Sequence, residues 1–156
     1  MAIRSEAKAL VLHEGKLLLN RCRYDDGQVR YDLPGGGQNP YEIMEEAVRR
    51  EVLEETGYTV QVDRFVALAE EICEDGQLRQ QYPDYAHRIH HIFLAHPTDK
   101  PRCVPTEADR YQDDCKWFSL QEAEHLPLLF PLGIQSHLTS LLTRDVPIYL
   151  GCSYTK

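Results

Sequence analysis

The sequence has no long apolar run, no CxxC pair, no internal repeat and no low-complexity tract, and it is short of positive charge. Each absence closes off a class of protein. A spanning helix needs about 20 consecutive apolar residues, and no segment reaches that length. The opening stretch, MAIRSEAKALVLHEG, also lacks an apolar core of signal-peptide size. Together these absences lead us to expect a soluble, cytoplasmic chain with no membrane partner. Lys and Arg number 17 against 25 Asp and Glu, a formal charge of −8. Such a surface repels a nucleic-acid polymer, whose binding depends on basic side chains releasing condensed counterions. A small anionic ligand is compatible with it only where a cation mediates the contact. The five cysteines, Cys22, Cys73, Cys103, Cys115 and Cys152, are odd in number and scattered. Neither a disulfide framework nor a zinc site is expected from them, and reduced thiols in packing roles are the simplest reading.

What is present fits one ordinary domain over residues 1–156, since a chain near 150 residues buries roughly 70% of its unfolded surface. AKALVLH (7–13) and KLLLNRC (16–22) read as strands joined by a hairpin turn at Glu14-Gly15. VRYDL reads as a short strand leading into Pro34-Gly35-Gly36-Gly37, where consecutive glycines let backbone approach a ligand closely. Tyr41 to Thr56 reads as a helix, with Pro40 near its first turn and Gly57 as its stop. YTVQV, FVALAEEI, HRIHHIFLAH and CKWFSL read as strands, EDGQLRQQYPDYAH as a polar segment and 97–112 as a loop. QEAEHL and GIQSHLTSLLTRD read as helical, separated by LPLLFPL, so residues 126–156 are expected to form a helix and tail packed on the rest. Strands and helices mix without strict alternation, which points to an α/β domain with helices on the faces of a mixed sheet.

The helix at 43–56 carries the chemistry. On a wheel of about 100° per residue, Met44, Ala47 and Val48 share one side with Glu51, Glu54 and Glu55. The stripe begins as core and ends as acid. Three carboxylates on an inward stripe repel one another and resist desolvation unless a cation neutralises them. Magnesium answers that need: it prefers oxygen ligands and is commonly shared between one or two carboxylates and substrate phosphates. A solvated acidic face is the competing account, and Glu45 with Arg49 and Glu46 with Arg50 stand at the i,i+4 spacing of surface pairs. The wheel alone leaves both open. The glycine loop beside it favours a site for a phosphorylated ligand.

Read from Gly36, the segment GGQNPYEIMEEAVRREVLEETGY resembles the Nudix box, Gx5Ex7REUxEExGU with U a bulky apolar residue. Gly36, Glu42, Arg50, Glu51, Val52, Glu54, Glu55 and Gly57 occupy its fixed positions. Tyr58 stands at the last U, and Asn39 and Tyr41 stand where the family commonly has an acid and a glycine. The resemblance extends to YDLPGG before the box and KWFSL after it, over roughly residues 5–125. It implies the Nudix fold, an α/β/α sandwich with a mixed sheet, and hydrolysis of a nucleoside diphosphate linked to some group X. It also implies that Glu51, Glu54 and Glu55 bind magnesium, with manganese an alternative. Arg50 would orient a box carboxylate, Glu42 would support the loop or a further metal, and Gly35, Gly36 and Gly37 would line the substrate. Glu51, Arg50 and Glu54 are the residues expected to carry catalysis. For the base that takes the proton of water, Glu51 is the first choice and Glu107 the second, with Glu70 and Glu71 behind.

The substrate is not legible in the sequence beyond a small, phosphorylated, nucleotide-type molecule. Tyr31 and Trp117 are candidates for stacking on a base, and core packing explains them equally well. Arg88, on the opposite strand face from His87, Ile89 and His91, is a candidate phosphate contact. The main alternative is a catalytically weak Nudix-fold module that binds or senses a nucleotide. A third reading, in which DVPIYLG pairs strands with another subunit, leaves a homodimer open.

Overall fold

The computed structural model describes residues 2–107 and 110–156. Strands β1 (Arg4–His13) and β2 (Lys16–Arg23) form the expected hairpin, closed by His13 opposite Lys16. Its turn residues, Glu14 and Gly15, have φ of 49° and 73°, the paired positive values that match a two-residue turn to strand twist. Next come β3 (Val29–Asp32), β4 (Gly35–Gly37), α1 (Met44–Thr56) and β5 (Val60–Cys73). The chain continues through α2 (Gly76–Gln81), β6 (His87–Pro97), β7 (Gln112–Ser119) and α3 (Leu120–Glu124). It ends with β8 (Leu129–Phe130), α4 (Leu138–Thr143) and β9 (Ile148–Thr155).

The strands form one mixed sheet in the order β8-β3-β2-β1-β6-β5-β9, with β4 added against β1 and β7 against β2. Pairs β1–β6, β3–β8 and β5–β9 are parallel, and the others are antiparallel. β1 and β2 pair only at their hairpin end. Beyond it β4 takes over the edge of β1, while β7 and β3 flank β2, so the sheet opens into two leaves.

Alternation along β1 fills a core on each face. Ala7, Ala9 and Val11 pack with Ala47, Val48 and Val52 of α1, while Leu10 packs with Leu17, Leu19, Leu33, Leu138 and Leu141 on the other side. This is the expected α/β/α arrangement with a mixed sheet. The core of the second face draws on 126–156 through Leu129, Ile134, Leu138 and Leu141.

Four local readings change. The helix begins at Met44, not Tyr41, because Tyr41 sits at φ 66° in the left-handed region, which a helix cannot continue through. YTVQV and FVALAEEI are one strand, β5, whose register slips between Val62 and Arg64 and between Phe65 and Ala67. Those bulges interrupt the apolar alternation and make one strand look like two. The polar stretch after β5 contains α2, capped by Asp75, whose carboxylate accepts from the amides of Gln77 and Leu78 at 2.7 and 3.1 Å. Finally, LPLLFPL supplies β8, and the segment DVPIYLG runs into β9 from Ile148, paired with β5 of the same chain.

Candidate active site

Helix α1 and the glycine strand β4 meet edge to face. A Cβ on Gly36 would lie 2.7 Å from Oε2 of Glu51 and 2.9 Å from its Cδ, so this position has room only for glycine while the carboxylate packs against the loop. The helix start is steadied by Glu46, which accepts the Ile43 amide at 3.2 Å. Gly57 closes the helix in the left-handed conformation and donates to Leu53 O.

Arg50 turns inward. Its Nε and Nη2 donate to the two oxygens of Glu42 at 2.7 and 2.9 Å, and Nη2 also reaches Gly37 O at 3.0 Å. Its Nη1 donates to Glu51 Oε1 at 2.7 Å and to Glu54 Oε2 at 3.1 Å. The sequence reading of Glu46 and Arg50 as a surface pair is therefore corrected: Glu46 caps the helix, and the box carboxylates take the guanidinium. Glu45 and Arg49 do pair, at 3.7 Å on the outer face. The bidentate bond to Arg50 holds the Glu42 carboxyl below its usual range. Burial pushes Glu51 the other way, above the ordinary value and against the pull of Arg50, and the nearby charge of Glu54 adds to the rise.

Glu55 is buried, and its Oε2 accepts from Asn20 Nδ2 at 2.7 Å and from the Gly35 amide at 2.9 Å. Gln112 ties this corner together, donating to Asn20 Oδ1 at 3.3 Å and to Glu55 O at 3.0 Å. On the far side of the loop, Lys8 Nζ donates to Gly35 O at 2.8 Å and lies 3.5 Å from Asp32. Burial opposes its charge, but Asp32, Glu6 and Glu55 outweigh that and keep Lys8 protonated. Asn20, Gln112 and Lys8 were not singled out from the sequence. Two of them left a signal there, a polar residue closing the apolar run KLLLN and a lysine in an inward position of AKALVLH.

Among the described residues no three His, Cys, Asp or Glu side chains converge into a ready-made metal cage. The donor set still fits a hard divalent ion. One nitrogen, Arg50 Nη1, already touches both Glu51 and Glu54, which marks a position where one positive centre meets two carboxylates. Magnesium asks the protein for little more, because substrate phosphates and water complete its shell.

The other sequence candidates scatter. The amides of Thr106 and Glu107 both donate to Glu54 O, at 2.9 and 3.0 Å, so the loop bearing Glu107 is strapped to the C-terminal turn of α1 with that residue exposed. Tyr31 packs edge-on against Phe118 at 5.3 Å, within the core of the second face. Trp117 donates to Tyr58 Oη at 3.1 Å and packs with the α1 core. Arg88 lies on the opposite sheet face from α1, paired with Glu71. Glu70 stands beside His87, at 3.5 Å.

Residues 3–137 match the family model of the NUDIX domain. The chain belongs to the NUDIX domain family. Solved structures agree. The MutT NUDIX hydrolase from Burkholderia pseudomallei is 26% identical, with a TM-score of 0.61 over 86% of this chain and 96% of that one. A UDP-X diphosphatase is 18% identical, with a TM-score of 0.67 over 98% of this chain and 68% of that one. An ADP-ribose pyrophosphatase from Streptococcus suis is 20% identical, with a TM-score of 0.63 over 97% of this chain and all (100%) of that one. The protein is a Nudix hydrolase, and Nudix hydrolases generally use divalent metal ions and small nucleotide-type substrates. Among its described residues no helix is long and apolar enough to cross a membrane.

Proposed function

We propose that this Nudix hydrolase cleaves a phosphoanhydride bond in a nucleoside diphosphate linked to a second group X, using magnesium, or manganese in its place, held by Glu51, Glu54 and Glu55. The observation that carries this reading is the Arg50 cluster, in which one positive centre bridges Glu51 and Glu54 beside the Gly36 backbone. The names of the UDP-X and ADP-ribose enzymes among its structural neighbours support the diphosphate-X class.

A divalent ion at this face supplies charge neutralisation of the diphosphate and a water of lowered pKa. The chain does the rest. Gly36 leaves the space in which the Glu51 carboxylate sits, and β4 presents backbone to the substrate. Arg50 fixes Glu51 and Glu54 against Glu42, so neither carboxylate has to be ordered when substrate arrives. Asn20 and the Gly35 amide orient Glu55 from behind. Glu51 accepts the proton of the attacking water, whose oxygen bonds to phosphorus as the bridging P–O bond breaks and the second phosphate leaves. Glu107 is the second choice for that proton, being anchored to Glu54 through the backbone.

The test is a panel of nucleoside triphosphates, sugar nucleotides and ADP-ribose, assayed with and without magnesium. The wild-type chain is expected to release a nucleoside monophosphate or pyrophosphate only with metal. Glu54→Gln and Glu55→Gln are each expected to lower kcat by about 10²-fold or more, in the range of a lost electrostatic group. Absence of turnover on every nucleotide, with nucleotide binding intact, overturns the hydrolytic reading and leaves a binding module.

A further inference from the structure

The face of the sheet opposite α1 holds a cleft of about 820 Å³, within the size range of small-molecule sites. It lies between the two leaves, with Arg30 of β3 on one wall and Arg88 of β6 on the other. Among the described residues that line it, the charges are Arg30, Arg88, Arg110 and Lys156 against one acid, Glu71. Glu71 is engaged by Arg88. The cleft therefore carries net positive charge in a chain whose overall charge is −8.

Arg30 is built in rather than loosely exposed. Its guanidinium sits 4.8 Å from the ring centroid of Tyr24 and 4.6 Å from that of Phe130, two cation–π contacts that hold the group in place. Asp32 feels its charge, yet no carboxylate among the described residues lies within ion-pair distance of it. Its Nε is buried without an acceptor, and so is the Nε of Arg88. The terminal nitrogens of Arg30 also have no acceptor among the described residues and, unlike its Nε, are not closed off from the cleft that Arg30 lines. Those terminal N–H groups form the edge that a ligand in the cleft can meet. That edge suits a carboxylate or phosphate, which accepts two parallel hydrogen bonds.

A row of charged side chains runs from the cleft to the glycine strand. Arg88 and Glu71 begin a buried row that continues through His90 and Glu6 to Lys8. Lys8 then donates to Gly35 O, one residue from the glycine that packs on Glu51. We propose that this cleft receives the X group of the substrate and that X carries its own carboxylate or phosphate, held by Arg30 and Arg88. This rests on the hydrolase reading above and names the class of substrate within it.

Matched pairs test it. UDP-glucuronate differs from UDP-glucose by a carboxylate in place of an alcohol, and ADP-ribose phosphorylated on its terminal ribose differs from ADP-ribose by a phosphate. The charged member of at least one pair is expected to have a kcat/KM about tenfold or more above its neutral partner, expressed in KM, and the pair that responds identifies the anion. Arg30→Met is expected to bring that ratio close to one, with Arg30→Lys between them. Binding of the same pairs, measured by calorimetry without divalent metal, is expected to show the same ratios. Equal or inverted preference in both pairs overturns the proposal, as does an Arg30→Met chain that keeps the wild-type ratio. A chain that turns over nothing but binds the charged member more tightly refutes the hydrolase reading while upholding the cleft.

Discussion

Two charge clusters lie on either side of the β1–β4 ladder, and they are organised on opposite plans. On the α1 side, Arg50 is surrounded by Glu42, Glu51 and Glu54, each partly open to solvent, so acids outnumber the cation among the described residues. On the other side, Glu6, Asp32 and Glu71 interleave with Lys8, His90 and Arg88, and the inner four, Glu6, Lys8, Glu71 and His90, are buried. A buried charge without a partner is costly, so the second cluster has to be balanced from within the chain. The first is under no such constraint. Its negative excess, at the surface and next to a glycine strand, is a place that a cation from outside can complete. Acid content alone does not distinguish the two; balance and exposure do.

The sharpest way to break this contrast is to remove one acid from each cluster. Glu51→Gln is expected to lower kcat/KM by about 10²–10⁴-fold, the usual contribution of a general base, with little change in the denaturant midpoint. Glu6→Gln takes from His90 its closest carboxylate, at 3.0 Å, and is expected to cost about 3–5 kcal/mol of stability. Chemical denaturation of both variants beside initial-rate assays reads the two effects separately. If Glu51→Gln loses as much stability as Glu6→Gln, the α1 cluster is structural and the contrast fails.

Gly36→Ala asks whether the glycine strand sets the position of the Glu51 carboxylate. The added methyl meets Glu51 Oε2 at 2.7 Å and must displace it, because the strand partner of Gly36 is Ala7 in the ladder with β1. A shift of about 1 Å in a catalytic group can cost on the order of 10²-fold. The loss is expected in kcat more than in KM. A variant with wild-type kcat shows that Glu51 does not act from the position it holds beside Gly36.

Much of this arrangement was legible in the sequence because it is local. Box spacing placed Glu51, Glu54 and Glu55 on one helix beside a glycine loop, and the hairpin at Glu14-Gly15 follows from turn chemistry within four residues. What escaped depends on contacts far apart in sequence. Arg50 offered an i−4 partner in Glu46, and only the fold brings Glu42 and Gly37 O close enough to win it. Asn20 meets Glu55 across 35 residues and Gln112 meets Asn20 across 92, distances over which no periodicity speaks. Tyr31 and Trp117 were ambiguous because an aromatic residue at a strand position serves core and ligand alike; their packing on Phe118 and Tyr58 comes from strand register. The bulges of β5 hid a single strand for the same reason, since register is a property of the pair.

The smallest expected effect concerns the balance of the buried cluster, and its sign can be worked out from His90. Burial opposes the charged imidazole, but Glu6 and Glu71 outweigh it and raise its pKa, against the repulsion of Lys8. The ring is 2% exposed and lies between Glu6 of β1 and Glu71 of β5, with Lys8 on β1 and Arg88 on its own strand as neighbouring cations. A group whose folded pKa exceeds its unfolded value stabilises the fold fully below the unfolded pKa, about 6.5 for histidine, and loses that contribution as pH rises through the folded pKa. Glu6 and Glu71 are shifted down, so their contributions are lost only on acidification and leave the alkaline side to His90. Thermal midpoints measured from pH 6 upward should therefore fall as His90 deprotonates, by about a few degrees for each kcal/mol lost in a domain of this size. His90→Gln, which cannot titrate, should start lower and follow a flatter course over the same range. Parallel curves for the two chains would mean that His90 is neutral in the fold, and that the buried cluster carries an uncompensated acid after all.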